Sequence, residues 1–430
     1  MDCAPVAGGR KGLDAIGTVM PPITLILLDA KPNRHSMNAL LGALETDRDL
    51  DDLDLRQPAG ETQLGQQIAE ASAAGRRPVA GVSFTTRQLP RVRQLVTAHR
   101  PLADASPVLW IAGGPHPTAD PEGTLRLGFD AVVIGEGEAT LPELLKTIAA
   151  GGDLAGVPGL AIRGSSGRTR FTGRRPPVDL DAYPPFPLRR RRAGPIEITR
   201  GCPFACGYCQ TSHLLGTLPR HRGVEAIARY AGEIRQRSVC DLRVISPNAF
   251  SYGSPDGRAL NLPALESLLA ALRDALRADG RLFFGTFPSE VRPEHVDQST
   301  LELVKRFANN DHLLIGAQSG SDRLLERCRR GHTVSDVFSA VSRTLAVGLK
   351  PHVDFIFGLP GETDEDLNST IEVVRELAAM GALIHAHAFV PLPQTLFADR
   401  QPGKIRGRLR AVLGELARDG ALYGIWHRPK

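Results

Sequence analysis

The chain has 430 residues, 42% of them hydrophobic and 23% charged, with 52 Lys and Arg against 47 Asp and Glu for a formal net charge of +5. That length exceeds one ordinary core and fits two domains with a linker, and the balance excludes a wholly disordered or fibrous chain. No apolar run is long enough for a membrane span or a secretory leader, and six irregularly spaced cysteines make no disulfide framework, so a cytoplasmic protein without membrane contact is expected.

Residues 1–22 read as a tail. From 23 to 151, short apolar runs (23–28, 79–84, 108–112, 131–134) alternate with helical stretches such as 36–45. Continuous Val, Ile and Leu mark strands covered by helices on both faces, so this half predicts an α/β, doubly wound parallel sheet. Ligands of such sheets sit beyond the carboxyl ends of the strands. Two of those ends are polar and glycine-rich: Gly113-Gly-Pro-His-Pro-Thr and Gly135-Glu-Gly-Glu-Ala-Thr.

Residues 152–194 turn to Gly, Pro, Ser and Arg and read as a linker, with a small hairpin around 160–171. Its run Arg189 to Arg192 either contacts phosphate or is a solvated connector. No aromatic residues interleave with it, so nucleic acid is not an expected partner. From 195 to 395 six further strand-like runs (195–199, 241–246, 282–286, 313–317, 352–357, 384–390) predict a partial (βα)6 barrel, whose chemistry belongs at the strands' carboxyl ends. Residues 396–430 read as a helical extension.

Cys202, Cys206 and Cys209 follow the first barrel strand with CxxxCxxC spacing. Three thiolates can hold three irons of a 4Fe-4S cluster and leave the fourth open, whereas zinc would want a further Cys or His, the nearest being His213. After the fourth strand, Gln318 and Ser319 offer neutral hydrogen-bonding groups of the sort that hold a ribose. After the fifth, Ile356 is available for packing and Gly358 and Gly361 allow close backbone approach. Glu362 is either a ligand-binding group or, with Asp364 to Asp366, a charge complement for the next helix. Cys328 and His332 read as a ligand pair, a catalytic thiol or core residues; Cys240 is equally open. His385 and His387 share one side of the sixth strand, facing the barrel interior or a core.

Together the cysteine loop and these strand-end turns resemble the radical S-adenosylmethionine (SAM) enzymes over roughly residues 195–393. The resemblance implies that Cys202, Cys206 and Cys209 hold the cluster, that Tyr208 lies near the adenine, and that SAM binds the open iron. There its sulfonium is reduced to release a 5′-deoxyadenosyl radical, with electrons from an external low-potential donor such as flavodoxin or ferredoxin. Many members carry a Gly-Gly-Glu turn for the methionyl amine. Here that place reads Ser246-Pro-Asn-Ala-Phe-Ser-Tyr-Gly, leaving Ser246 or Asn248 as substitutes. This turn and Arg330-Gly-His-Thr look similar to the methylthiotransferase branch, which brings three additional cysteines from its N-terminal domain; here that half has only Cys3.

The stretch Gly113 to Glu122, Asp130 to Leu144 and the linker resemble the cobalamin-binding-type, flavodoxin-like domain that precedes many radical SAM modules. The resemblance implies that Gly113, Gly114, His116, Thr118, Gly135, Glu136, Gly137 and Glu138 lie at the cobalamin. The cobalt-coordinating DxHxxG motif is absent, and His35 either approaches a corrin or is an exposed helix-start residue. The activity implied is cobalamin-dependent methylation of an unactivated carbon, occasionally phosphorus, of a small molecule. The alternatives are a radical SAM enzyme without cobalamin, acting by rearrangement, ring formation or methylthiolation, and a non-catalytic cluster-containing sensor or RNA-binding protein. Little chain follows the barrel to form an RNA-binding domain.

Overall fold

The computed structural model describes residues 22–29, 33–100, 108–164, 167–237 and 241–426. Its first sheet contains β1 (Ile23–Leu27), β2 (Asp54–Arg56), β3 (Arg77–Ser83), β4 (Leu109–Gly113), β5 (Ala131–Val133), β6 (Leu160–Arg163) and β7 (Thr169–Phe171), in the order β2-β1-β3-β4-β5-β6-β7. The first five are parallel in flavodoxin-like order, with the switch point between β1 and β3. Alternation along the strands makes the two layers. Leu25, Val79, Ile111 and Ala131 pack with residues of helices Arg34–Leu44 and Gly137–Ala149 on one face, while Ile26, Ala80, Trp110 and Val132 pack with those of Glu61–Ala73 and Leu89–His99 on the other.

The hairpin expected in the linker is part of this domain. β6 pairs antiparallel with β5, and its buried Leu160, Ala161 and Ile162 cover what would be an open sheet edge. The first sheet therefore extends to Phe171, past the boundary expected at residue 151. β2 escaped the sequence reading because it is a three-residue edge strand, Asp-Leu-Arg.

The second half opens with β8 (Ile196–Glu197) and β9 (Thr199–Arg200), the latter paired antiparallel with β10 (Arg220–His221). β11 (Asp241–Ile245), β12 (Arg281–Phe283), β13 (His312–Gln318), β14 (Lys350–Phe357), β15 (Leu383–Ala388) and β16 (Leu422–Ile425) follow. They form two parallel sheets, β12-β11-β8 and β13-β14-β15-β16, linked by a bridge between Val291 and Ile315. Val244, Val353, Phe355 and Ile384 face outward onto the helices and share one core with Ile227, Leu268, Val341 and Val374. All six expected barrel strands are present. In the segment expected as a helical extension, helix Gly407–Arg418 is followed by β16, which continues the sheet parallel to β15. Tyr423, Gly424 and Ile425 are exposed, so β16 lacks the apolar signature of its neighbours. Among the described residues no helix is long and apolar enough to cross a membrane.

Candidate functional site

The cysteine loop is shaped by its own backbone and strapped by distant segments. Gly201 has φ +93°, and a Cβ there would stand 2.5 Å from the Leu218 carbonyl oxygen, so the turn into Cys202 demands glycine. Cys202 N–H donates to Gly216 O (3.0 Å), Cys209 N–H to Cys206 O (3.0 Å), and Ser212 Oγ both accepts from Ala205 N–H and donates to Cys202 O. From outside the loop, Cys328 O accepts from Gly207 N–H (2.8 Å) and Gly207 O accepts from Phe397 N–H (3.0 Å). Tyr208 and Ile356 pack on the small cluster of Leu324, Cys328, Leu359, Phe389 and Phe397, which joins the loop to the end of β14.

The three thiols do not converge on one ion. A tetrahedral zinc with Zn–S of about 2.3 Å holds its sulfurs about 4 Å apart. Among the described residues the only three-ligand group drawn within 4.8 Å lies elsewhere. A polynuclear cluster, with one iron per thiolate, suits the wider spacing. Burial pushes the Cys202 and Cys209 thiols up, so ligation must displace protons. Buried Arg330 also borders the loop: its guanidinium lies 3.9 Å from Cys206 Sγ while donating to Gly316 O (2.7 Å) and facing Glu290 (3.5 Å). Tyr208 Oη and Arg330 Nε are buried without a hydrogen-bond partner among the described residues, a combination that fits a polar ligand over the loop. Glu290 and Arg330 are functional candidates that spacing could not supply; Arg330 was legible only through its Arg-Gly-His-Thr turn.

The other strand-end residues divide. Gln318 sits at a bulge in β13 with φ +74° and reaches toward Glu290 (3.5 Å). Ser319 is buried against Thr370. Ser246 and Asn248 are occupied within the protein: Ser246 Oγ donates to Asn248 O, and the Asn248 side chain bonds His295 Nδ1 (2.7 Å) and accepts from Arg292 N–H. Gly358 has φ +76° and abuts Gly403, where a Cβ would stand 2.8 Å from a carbonyl oxygen. Thr363 and Asp366 cap the next helix, leaving Glu362 outside that role, and burial followed by the Asp366 charge raises its carboxyl to about 7. Cys328 is buried with its thiol pushed up to about 12 by burial, and buried His332 bonds Ala317 O (3.1 Å); each is a core residue. Cys3 and Cys240 lie outside the described residues.

Between the domains lies a cavity of about 720 Å³. Tyr208, Cys209, Gln210 and Thr211 of the loop form one wall; Gly113, Gly114, Thr118 and Gly135 to Glu138 form the opposite one, with half-buried His35 also at its edge. Gly114 (φ +93°) lies so close to β3 that a Cβ would meet Ser83 Oγ at 2.6 Å, and Gly135 (φ +75°) opens to free space. Thr118 Oγ1 accepts from Gly135 N–H (3.1 Å), tying the two glycine-rich turns together. His116 is not on this wall: its ring is buried against Phe84 and its Nδ1 meets Thr86 Oγ1 at 3.0 Å.

The carboxylates of the Gly135-Glu-Gly-Glu turn bind protein rather than standing free for a ligand. Arg200, one turn before the cysteines, meets Glu138 (2.7 Å), Glu197 (2.6 Å) and Glu136 (3.2 Å), and Arg220 also holds Glu136. Burial works to raise the Glu136 carboxyl, but Arg220 and Arg200 overcome it and hold it below its ordinary range. Similarly Arg189, Arg190 and Arg192 are engaged with Asp51, Glu45 and Asp29, so the arginine run fastens the linker to the first domain.

Residues 196–374 match the Radical SAM superfamily and residues 32–145 the B12 binding domain. An uncharacterized protein of Methanopyrus kandleri is 26% identical over 68% of this chain and 62% of its own length. An uncharacterized methyltransferase of Pyrococcus horikoshii is 27% identical over 63% of this chain and 58% of its own. A threonylcarbamoyladenosine tRNA methylthiotransferase of Treponema pallidum is 31% identical over 55% and 47%. The chain thus spans less than two thirds of these curated relatives. In fold it is similar to the radical SAM methyltransferase TsrM of Kitasatospora setae, solved with cobalamin and a [4Fe-4S] cluster (TM-score 0.65, 18% identity, 88% of this chain and 77% of that one). It is also similar to the cobalamin-dependent radical enzyme OxsB (TM-score 0.66, 15% identity, 94% and 56%).

Proposed function

Because the chain joins a B12-binding domain to a radical SAM domain, we propose that it is a cobalamin-dependent radical SAM methyltransferase acting on a small molecule. The observation that carries this reading is the shared cavity, since its walls are the cysteine loop on one side and the two glycine-rich strand ends on the other. When bound, the 4Fe-4S cluster and SAM supply a reductively generated carbon radical and cobalamin supplies a transferable methyl group. In this reading Cys202, Cys206 and Cys209 hold the cluster on a loop whose shape is set by Gly201 and the backbone of Cys328 and Phe397. Tyr208, Glu290, Arg330, Gln318, Ser319, Ile356, Gly358 and Glu362 surround SAM; the Arg330 guanidinium answers anionic charge and Gln318 and Ser319 supply neutral hydrogen bonds. Gly113, Gly114, Gly135 and Gly137 let a broad ligand approach the strand ends. Leu27, Leu40, Ile111, Leu214 and Leu215 line the cavity and exclude water from it. Glu136 and Glu138 register the two walls through Arg200 and Arg220. Electrons come from an external low-potential donor.

The test is anaerobic reconstitution with iron, sulfide and cobalamin, followed by SAM and dithionite. The expected result is one cobalamin per chain and formation of 5′-deoxyadenosine that Cys206→Ala abolishes. A protein that takes up the cluster but no cobalamin refutes the methylation reading. Relatives named as tRNA methylthiotransferases favour methylthiolation as a second reading. That chemistry brings three more cysteines from the N-terminal domain, and here that half of the chain has only Cys3.

A further inference from the structure

We propose that Asp354, His385 and His387 form a second metal site, for a divalent ion of the zinc or iron(II) class, on the inner wall of the barrel. The inference is independent of the cluster and of cobalamin. One potential ligand atom from each residue lies within 4.8 Å of the other two, the sole such group of three among the described residues. Strand geometry produces the arrangement. His385 and His387 are two apart on β15 and so share a face, and the parallel register sets Asp354 of β14 directly beside His385. The alternate residues Val353, Phe355, Ile384 and Ala386 are buried in the outer core, which turns the three ligands inward.

The donor set suits the class of ion. Two imidazoles and a carboxylate select zinc or iron(II) over the hard, all-oxygen cations and leave positions for water or a substrate heteroatom. His385 Nδ1 stands 2.7 Å from Asp354 Oδ1. Ligands at about 2.0–2.2 Å in a tetrahedron are separated by about 3.4 Å, so this pair need open by less than an ångström to admit an ion. Tyr423 of β16 stacks on His385, with centroids 4.3 Å apart and planes at 7°, and so holds that ring's orientation. The His387 ring lies 4.1 Å from His385 and makes no hydrogen bond among the described residues. Glu290 lies near Asp354, while Arg87 of the first domain, which donates to Ala388 O (3.1 Å), lies near His387. A simple Asp–His ion pair would account for Asp354 and His385 but not for the convergence of unbonded His387.

The experiment uses the full chain with its cluster reconstituted, equilibrated with micromolar zinc, desalted, and analysed for metal content and by zinc-edge X-ray absorption. The expected result is one zinc per chain with a purely nitrogen and oxygen shell. His387→Gln and Asp354→Asn should each weaken zinc by at least tenfold while leaving iron content and circular dichroism unchanged. Sulfur at about 2.3 Å would put the zinc in the cysteine loop and overturn the proposal, as would absence of zinc or its full retention in both variants. A chain that binds zinc but no cobalamin would sink the methylation reading and leave this one standing.

Discussion

Replacing Arg200 by Met tests whether the two halves are registered by one buried cation. Its side chain is 8% exposed and those of Glu136 and Glu138 are 9% and 7% exposed, so deletion strands carboxylates that cannot regain water without parting the domains. Removing one partner of a buried pair costs about 3–5 kcal/mol, and Arg220 spares only Glu136. At about 2–4 °C per kcal/mol for domains of this size, the first thermal transition should fall by roughly 10 °C at pH 7. The pH dependence carries the sign. In the native chain Glu136 is held below its ordinary value, so its contribution is present above the unfolded pKa and is lost as pH falls through the folded one. The gap between native and Arg200→Met proteins should therefore be widest near neutrality and narrow below about pH 4.5, where unpaired carboxylates protonate. Scanning calorimetry at several pH values reads both effects. A loss under about 1 kcal/mol at pH 7, or a gap that grows in acid, refutes the reasoning.

Gly201→Ala forces a Cβ against the Leu218 carbonyl at positive φ, which should cost about 1–3 kcal/mol and lower iron loading after reconstitution, read by iron analysis and chemical denaturation. Glu362 has its folded pKa raised to about 7, so the native state favours the proton and stability should fall as pH rises from about 4.5 to 7. Glu362→Gln should remove on the order of 2–3 kcal/mol of that slope, measured by denaturant midpoints between pH 5 and 8. Cys206→Ala should reduce iron content and eliminate 5′-deoxyadenosine while cobalamin uptake persists, because Cys206 is not among the cavity-wall residues; joint loss of both cofactors would contradict the placing of cobalamin on the opposite wall.

What the sequence disclosed was local or periodic. The cysteine loop needed only eight residues, and the buried parallel strands announced themselves as continuous Val, Ile and Leu. His385 and His387 were legible as sharing a side because strand period alone decides it. What it concealed was pairing at distance. Arg200 meets Glu138 62 residues earlier, and nothing in either neighbourhood signals the other. The glutamates of the Gly135 turn therefore looked free to receive a ligand, although they bind arginines. The hairpin at β6 and β7 looked like linker because its glycine-rich surroundings hid a well-buried Leu-Ala-Ile. β16 lacked an inward and outward alternation to detect.

The straps on the cysteine loop also set a schedule. Phe397, whose N–H reaches Gly207, leaves the ribosome 188 residues after Cys209 (397 − 209), and Cys328 leaves 119 residues after it (328 − 209). At about 5–20 residues per second, the three thiols wait roughly 10–40 s before the backbone that shapes their loop exists. Until then the loop lacks the contacts that shape it, and only a chain that extends through Phe397 can close both straps. If the three thiols hold the proposed cluster, its fitted receptacle therefore forms only after Phe397 has been made.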